Sequence, residues 1–301
     1  MEYGLMTVSV LFAALNSIIL RVFKNRTVKN SGDSFFFNGG MSLMWTVIMA
    51  VWFFASGDRS ISGGALIFGA IYGGILCLFL FFKNESIASG PVSLTSLIAN
   101  CAFIVATFFG VVYASERVSI FQLIGMAVIL LSLFWCINPK KSGVKLTAKW
   151  FFYCFGSFLA GGLIGIFYKV FGKSNVASEV NGMMLTASAV SAVLFFVGGL
   201  ILNRAKGEER PTIRRGAWLF ILLCGVTGCV YMRLNVALSA LIPSAFFFPV
   251  TNGGIVVATT VAGALFFKER LNRTQLIGVL VGLLGIVVTG CGEALWNLVF
   301  R

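Results

Sequence analysis

The residues of this sequence that could do chemistry are neutral amides and hydroxyls inside long apolar runs. The chain has no histidine, and none of its ten acidic residues lies near the middle of a run. Histidine is the commonest metal ligand and proton shuttle, and a charge inside an apolar run usually marks a functional site. The sequence therefore predicts a cavity of neutral polar groups, which suits neutral, zwitterionic or anionic solutes better than organic cations. The candidate solute-binding residues are Asn16, Asn38, Ser96, Asn100, Thr107, Asn181, Asn252 and Thr259, with Pro249 beside them.

The fourth apolar run carries a polar stripe. At 100° per residue its polar side chains fall within about 60° of one another on a helix. The stripe either binds neighbouring helices through hydrogen bonds or lines a cavity, and the sequence leaves both interpretations open. Asn100 and its counterpart Asn252 in the ninth run are the strongest cavity candidates, because an amide in hydrocarbon must find partners. The stripe consists of Ser93, Ser96, Asn100 and Thr107.

Pro249 lies three residues before Asn252 in the ninth run. A proline inside a helix has no backbone N–H, so the carbonyl of Ala245 loses its partner. In a membrane such a break persists only where protein or a wet cavity satisfies the backbone. We expect Phe248 to Asn252 to form a kinked segment that faces the solute; a kink that serves packing alone explains the proline equally well.

Charged and aromatic residues near the ends of the runs allow two interpretations each. Arg21, Lys169 and Arg233 either extend to the membrane surface or act in gating by attracting an anionic group. Trp45, Tyr72, Tyr168 and Tyr231 either stack on a solute ring or join the interfacial aromatic belt. We interpret Lys83, Glu85 and Glu179 as loop charges. Glu116-Arg117 and Glu269-Arg270 are expected to close turns or to cap the following helix.

The sequence offers no constellation for catalysis. Its seven cysteines lie in or beside apolar runs without a C-x-x-C spacing, which is typical of buried apolar side chains. There is no phosphate-binding loop, nucleophile arrangement or cluster of metal ligands in it. We therefore expect no cofactor, no metal and no enzymatic activity.

Positioning these residues requires a membrane protein with many helices. The 301-residue chain is 58% hydrophobic and only 11% charged, whereas soluble domains have about 25% charged residues. Its apolar runs of about 20 residues predict an all-α fold with ten transmembrane helices. The net charge of +13 lies between the runs, so it indicates topology and no nucleic-acid partner. The predicted spans are Leu5–Phe23, Phe35–Phe54, Gly64–Phe82, Pro91–Tyr113, Ile120–Ile137, Trp150–Phe171, Val180–Leu202, Ala217–Leu234, Pro243–Phe267 and Leu271–Gly290.

One stretch of the sequence occurs twice. SERVSIFQLIG from Ser115 to Gly125 returns as KERLNRTQLIG from Lys268 to Gly278, and Arg21 and Lys169 close the corresponding first and sixth spans. Each copy contains five spans, and an odd number makes the second copy enter the membrane from the opposite side. The sequence therefore predicts two inverted five-helix repeats in one membrane unit, residues 1–140 and 141–301.

Lysine and arginine residues are distributed unevenly between the two sides. The connections after the odd-numbered spans hold 17 of the 23 basic residues. Cytoplasmic connections carry the excess of positive charge, so both termini are expected outside the cytoplasm of the cell (inner) membrane.

The duplicated Glu-Arg and Gln-Leu-Ile-Gly motifs, together with the ten spans, resemble the drug/metabolite transporter superfamily and, within it, the ten-span EamA-like branch. The resemblance implies a secondary transporter or exporter of small organic solutes, with alternating access to a cavity between the halves. Small multidrug-resistance relatives carry an acidic residue in the middle of the first span, where this chain has only Asn16 and Ser17. Proton-coupled export of cations is therefore not expected.

The sequence favours a transporter of a small polar organic metabolite, such as an amino acid or similar solute. Its expected partners are that solute, the lipid bilayer and a coupling ion, and a monomer and a homodimer both remain open. The alternative is a non-transporting membrane scaffold or accessory subunit with the same fold.

Overall fold

The computed structural model describes residues 2–27, 31–57, 59–89, 95, 98–116, 118–136, 147–206, 217–267 and 273–299. Within these ranges the chain is helical and contains no β-strand. The ten α-helices are α1 (Glu2–Thr27), α2 (Ser31–Ala55), α3 (Gly63–Ser89), α4 (Phe103–Ala114), α5 (Ile120–Cys136), α6 (Ala148–Gly172), α7 (Val180–Lys206), α8 (Ala217–Leu241), α9 (Ser244–Phe267) and α10 (Arg273–Val299).

Eight of these helices are long and apolar enough to cross a membrane. Each has at least 24 residues, which corresponds to about 36 Å at 1.5 Å per residue and exceeds a hydrocarbon core of about 30 Å. The apolar stretches that contain α4 and α5 are shorter, residues 98–113 and 120–135. The chain is therefore a multi-pass membrane protein. Ten spans were predicted; the described residues form ten α-helices, and eight of these are long enough to span the membrane.

Several helices extend beyond the predicted ends, among them α3 and α8. Helix α3 continues past Phe82 to Ser89, so Lys83 and Glu85 are helical and their interpretation as loop charges is wrong. Helix α8 continues past Leu234 to Leu241 and ends two residues before Pro243, where the ring restricts the preceding residue.

Helix α4 is interrupted where a continuous span was expected. Residues 98–100 are helical, Cys101 and Ala102 form a turn, and the regular helix begins at Phe103. Across the interruption the backbone bonds are of the i to i+3 type, from Ala102 N to the Ala99 carbonyl (3.3 Å) and from Ile104 N to the Cys101 carbonyl (3.0 Å). This tighter winding is a common feature of functional segments in helices. The interruption directly follows Asn100.

The helices of the two halves of the chain pack in corresponding ways. Helix α3 packs on α6 and α7, and α8 packs in the same manner on α1 and α2. Helix α1 contacts α9, as α6 contacts α4. Helices α2 and α7, α4 and α9, and α5 and α10 pack against each other. Most of the interior is therefore formed between the halves rather than within either one.

Glycines permit the closest of these contacts. A Cβ atom on Gly69 would lie 2.6 Å from the carbonyl oxygen of Met183, and one on Gly73 would lie 2.6 Å from that of Ala187. Helices α3 and α7 thus approach backbone to backbone. The Gly69-x-x-x-Gly73 spacing therefore mediates a contact between two helices of the same chain.

Candidate functional site: a central cavity between the halves

A cavity of about 550 Å³ lies in the centre of the helix assembly. Its wall is formed by α1, α2, α3, the segment at Asn100 with α4, and by α6, α8 and α9. Both halves of the chain therefore contribute to it. Its volume falls within the range of about 300–1,000 Å³ that is typical of small-molecule sites. Of the predicted solute-binding residues, those that line it are Asn16, Asn100, Asn252 and Thr259.

Asn16 connects α1 to α8 at the cavity wall. Its side chain is only 8% exposed. The Nδ2 amide donates to the carbonyl of Cys224 (2.9 Å) and to the hydroxyl oxygen of Thr227 (2.9 Å). Both N–H groups are thus used within the protein, and the Oδ1 atom remains for a bound group.

The wall formed by α9 contains Thr251 and Asn252. Pro249 lies inside the helix, as the sequence indicated, but does not itself line the cavity. Asn252 donates from Nδ2 to the carbonyl of Phe248 (2.9 Å), and Thr251 donates to the carbonyl of Phe247 (2.6 Å). Polar side chains in this segment therefore bond to the backbone of their own helix while they face the cavity.

The four aromatic side chains considered from sequence all line the cavity. The hydroxyl groups of Tyr72 and Tyr168 share a hydrogen bond of 2.9 Å, and Tyr72 stacks on Phe167 with ring centroids 4.8 Å apart. Tyr231 and Trp45 complete the group. Because Tyr72 and Trp45 are buried, these two do not belong to an interfacial aromatic belt.

Lys83 is the charged residue among the described side chains that line the cavity. It lies on α3 eleven residues after Tyr72, which places it about 16 Å further along the helix axis. Its ammonium group lies 5.4 Å from the ring centroid of Phe79. Sequence reasoning missed Lys83 because hydropathy ended the third span at Phe82, although the stripe Tyr72, Phe79 and Lys83 at helical spacing could have indicated it.

Lys169 forms a buried ion pair beyond the tyrosine end of the cavity. Its side chain is 5% exposed and that of Glu116 is 15% exposed, with Nζ and Oε1 2.9 Å apart. Lys169 also donates to the carbonyl of Ile242 (2.8 Å). The second carboxylate oxygen of Glu116 accepts from the backbone N–H of Ser244 (2.6 Å). The interpretation that Lys169 extends to the membrane surface is therefore wrong: it joins α6 to the start of α9.

The local turn explains why Glu116 reaches across to the other half. Ser115 ends α4 in a left-handed conformation with φ 51°, which reverses the chain. The expected capping of the following helix is done instead by Ser119 and Gln122. Gln122 Oε1 accepts from the N–H of Ser119 (3.0 Å), and the Ser119 hydroxyl accepts from the N–H of Phe121 (3.4 Å). The signal was present in the sequence as a Ser-x-x-Gln capping box.

The remaining predicted residues lie away from the cavity. Asn38 and Asn181 are buried outside its wall, and Asn181 donates to the Ser56 hydroxyl (3.5 Å). Thr107 is also outside and donates to the carbonyl of Ser244 (3.5 Å), so it belongs to the contact between α4 and α9. These three residues do not line the cavity, because helical spacing does not reveal which neighbour a face meets. Arg233 lies 5.2 Å from the ring centroid of Trp52.

Several of the residues singled out in the sequence lie outside what the structure describes. Ser93, Ser96, Arg117 and the pair Glu269-Arg270 are outside the described residues. Arg21 belongs to α1, but its side chain is outside the described set. Glu179, interpreted as a loop charge, forms part of a short 3₁₀-helix (Ala177–Glu179) and accepts from the backbone N–H of Ser62 (2.7 Å).

The long apolar helices define a multi-pass membrane protein with a cavity between them. The EamA-like transporter family matches the chain over residues 1–138 and 148–291. The chain therefore belongs to the EamA-like transporter family, a branch of the drug/metabolite transporter superfamily.

Comparison with solved structures supports the fold alone. A crystal structure of a protein with 12% sequence identity superposes with a TM-score of 0.78, covering 95% of this chain and 96% of the other. No curated protein sequence matches the chain.

Proposed function

We propose that the protein is a secondary active transporter of a small polar organic metabolite, working by alternating access. The observation that carries this proposal is the central cavity of about 550 Å³, to which both halves contribute. Two inverted five-helix repeats, residues 1–140 and 141–301, would form that cavity at their interface. The corresponding contacts of α3 with α6 and of α8 with α1 support this division. The protein binds and releases the metabolite without chemical change.

The two ends of the cavity differ, as alternating access requires. At one end the hydroxyls of Tyr72 and Tyr168 bond to each other, and the Glu116–Lys169 ion pair lies beyond them. At the other end the wall reaches the half-exposed Lys83 near the C-terminal turns of α3. We assign the ion pair the role of a gate between the halves.

The distribution of basic residues indicates which end of the cavity would face the cytoplasm. Residue Lys83 lies toward the connections that hold most of the lysines and arginines, so this end would face the cytoplasm and both termini would lie outside it. Fusion of alkaline phosphatase to the C-terminus should then give an active enzyme, because that enzyme folds only outside the cytoplasm. A second fusion places a fluorescent protein at the C-terminus. An inactive phosphatase together with a fluorescent second fusion would show that the C-terminus lies in the cytoplasm, which contradicts the proposed orientation.

Solute flux tests the function directly. Liposomes that contain only the purified protein should exchange a radiolabelled metabolite from a panel of amino acids, nucleobases and organic acids, while protein-free liposomes should not. The competing scaffold function predicts no exchange with any of them, so a complete absence of flux would contradict the transporter. Chemical conversion of a solute without exchange between compartments would indicate an enzyme instead.

A further inference from the structure

Helix α8 of the second half is joined to α1 of the first half by hydrogen bonds inside the protein. The amide of Asn16 donates to the carbonyl of Cys224 and to the hydroxyl oxygen of Thr227, each at 2.9 Å. The hydroxyl of Ser9 donates to Oδ1 of Asn235 (2.7 Å). Ser9 is fully buried and Asn16 is only 8% exposed. The two helices are therefore held together in the protein interior.

Helix α3 of the first half is joined in a similar way to α6 and α7 of the second half. The hydroxyls of Tyr72 and Tyr168 share a hydrogen bond of 2.9 Å, and Tyr72 stacks on Phe167. Helix α3 also approaches α7 backbone to backbone at Gly69 and Gly73. Glycine contacts as close as these leave little room for the helices to shift against each other.

Helices α4 and α9 continue this arrangement. A Cβ atom on Gly162 of α6 would lie 2.7 Å from the Cβ of Val105 on α4, and one on Gly254 of α9 would lie 3.2 Å from Cγ1 of Val10 on α1. Helix α2 packs on α8. These contacts define two groups of helices, which we call unit 1 (α3, α4, α6 and α7) and unit 2 (α1, α2, α8 and α9). Each unit contains helices from both halves of the sequence.

Hydrogen bonds between the two units meet at the turn from α8 to α9. Lys169 donates to the carbonyl of Ile242 (2.8 Å), and Glu116 accepts from the backbone N–H of Ser244 (2.6 Å). Thr107 donates to the carbonyl of Ser244 (3.5 Å). Unit 1 thus holds this turn of unit 2 at the tyrosine end, and the cavity lies between the units.

Helices α2 and α7 also meet across the units, and phenylalanine rings make much of their contact. Phe35 lies edge-on to Phe195 and Phe36 edge-on to Phe196, with ring centroids 5.9 Å and 5.7 Å apart. Apolar side chains can slide past each other without losing hydrogen bonds, as in shear motions of packed helices. This contact therefore allows the units to move.

The division into halves and the division into units differ in which bonds must break. If the halves moved against each other, the bonds of Asn16 and Ser9 to α8 would break in every cycle. Buried polar groups would then be left without partners, which is unfavourable. If the units move, the bonds at the turn break instead. That turn lies at the ends of helices and Glu116 is 15% exposed, so water can replace the bonds that are lost.

We propose that transport proceeds by movement of unit 1 against unit 2, so that the moving parts are not the two halves of the sequence. This inference rests on the proposed transport function and specifies which helices move together. In the described state the units meet at the turn from α8 to α9, and release of that turn opens the tyrosine end of the cavity.

Two engineered disulfides at the tyrosine end of the full chain distinguish the two divisions. Ile61→Cys with Gly182→Cys joins the start of α3 to α7, across the halves but within unit 1, and its Cβ atoms would lie 3.5 Å apart. Gly172→Cys with Ala240→Cys joins α6 to α8, within the second half but across the units, and its Cβ atoms would lie 2.8 Å apart. A disulfide needs about 3.5–4.5 Å, so the second pair must separate by about 1 Å, which the ends of two helices allow.

Flux in liposomes that contain only the purified variant measures the effect of each disulfide. The probe is the radiolabelled metabolite that the wild-type protein exchanges fastest among amino acids, nucleobases and organic acids. The disulfide between positions 61 and 182 should leave flux within about twofold of the reduced sample. The disulfide between positions 172 and 240 should lower flux at least about tenfold, and reduction should restore it. Single-cysteine forms of each variant account for the seven native cysteines.

Each outcome decides the inference. In a wild-type protein that transports, loss of flux with the disulfide at 61 and 182, or full flux with the disulfide at 172 and 240, would overturn the inference and keep the transport function. A wild-type protein without flux for any solute would remove the transport function and the inference with it. If the reduced Ile61→Cys and Gly182→Cys variant is inactive, Val10→Cys with Gly254→Cys replaces it. Its Cβ atoms would lie 3.9 Å apart, it joins the halves within unit 2, and the same retained flux is expected.

Discussion

The Glu116–Lys169 ion pair provides the sharpest test of how the halves are held together. Glu116→Gln removes the negative charge and keeps the shape of the side chain. The ammonium of Lys169, 5% exposed, then has two acceptors in the described part of the chain, the carbonyl of Ile242 and a single amide oxygen. In the native protein the second carboxylate oxygen of Glu116 accepts from the backbone N–H of Ser244. In the glutamine variant the single amide oxygen must accept from both Lys169 and Ser244.

The expected loss of stability follows from burial. Removing one partner of a buried ion pair costs about 3–5 kcal/mol. Glu116 is 15% exposed and glutamine still accepts one hydrogen bond, so we expect about 2–3 kcal/mol for Glu116→Gln. Glu179→Gln is the matched control, because Glu179 likewise accepts from a backbone N–H, that of Ser62, at 2.7 Å. Without an ion pair of this kind it should lose only about 1 kcal/mol.

Reversible unfolding in mixed detergent micelles, followed by tryptophan fluorescence, measures both variants. The double variant Glu116→Gln with Lys169→Met should recover part of the loss, because no charge then remains buried alone. Equal destabilisation by Glu116→Gln and Glu179→Gln would refute the argument that the lysine charge is held by Glu116. In liposomes the double variant should also change the flux, since the gate between the halves is weakened.

Three further substitutions test other parts of the structure. Gly73→Ala should lower the free energy of unfolding by about 1–3 kcal/mol in the same micelle assay, because its Cβ would lie 2.6 Å from the Ala187 carbonyl oxygen; full stability would mean that α3 and α7 are further apart. Pro249→Leu restores an N–H for the carbonyl of Ala245 and should reduce liposome flux by about tenfold, whereas unchanged flux assigns the kink to packing. Lys83→Met should weaken carboxylate-bearing ligands about three- to fivefold in thermal shift assays, as a half-exposed charge allows, and equal weakening of uncharged ligands would exclude a charge effect.

The sequence predicted the helices well because hydropathy and membrane thickness constrain them directly. A run of about 20 apolar residues has to be helical in lipid, where backbone groups must bond internally. The ends of α3 and α8 were less predictable. In the sequence, Lys83 and Asn235 each interrupt an apolar run. Inside the protein Asn235 accepts a hydrogen bond from the Ser9 hydroxyl (2.7 Å), and its helix continues to Leu241.

The site was predicted only in part, because periodicity identifies a face of a helix without naming its neighbour. Asn100 and Thr107 share one stripe in the sequence, yet Asn100 lines the cavity and Thr107 contacts the backbone of α9. Asn16 and Asn38 are both single asparagines in apolar helices, and only Asn16 reaches the cavity.

The sequence by itself determined three properties of this protein: apolar helices in a membrane, a duplicated motif, and neutral polar residues instead of acidic residues within the apolar runs. These follow from composition and order along the chain, which act on each helix separately. Only the tertiary structure decided that Glu116 pairs with Lys169, 53 positions away, and that Asn16 and Asn252 line a common cavity. Such relations depend on which helices meet and at what depth, and that is fixed by the packing of all of them together.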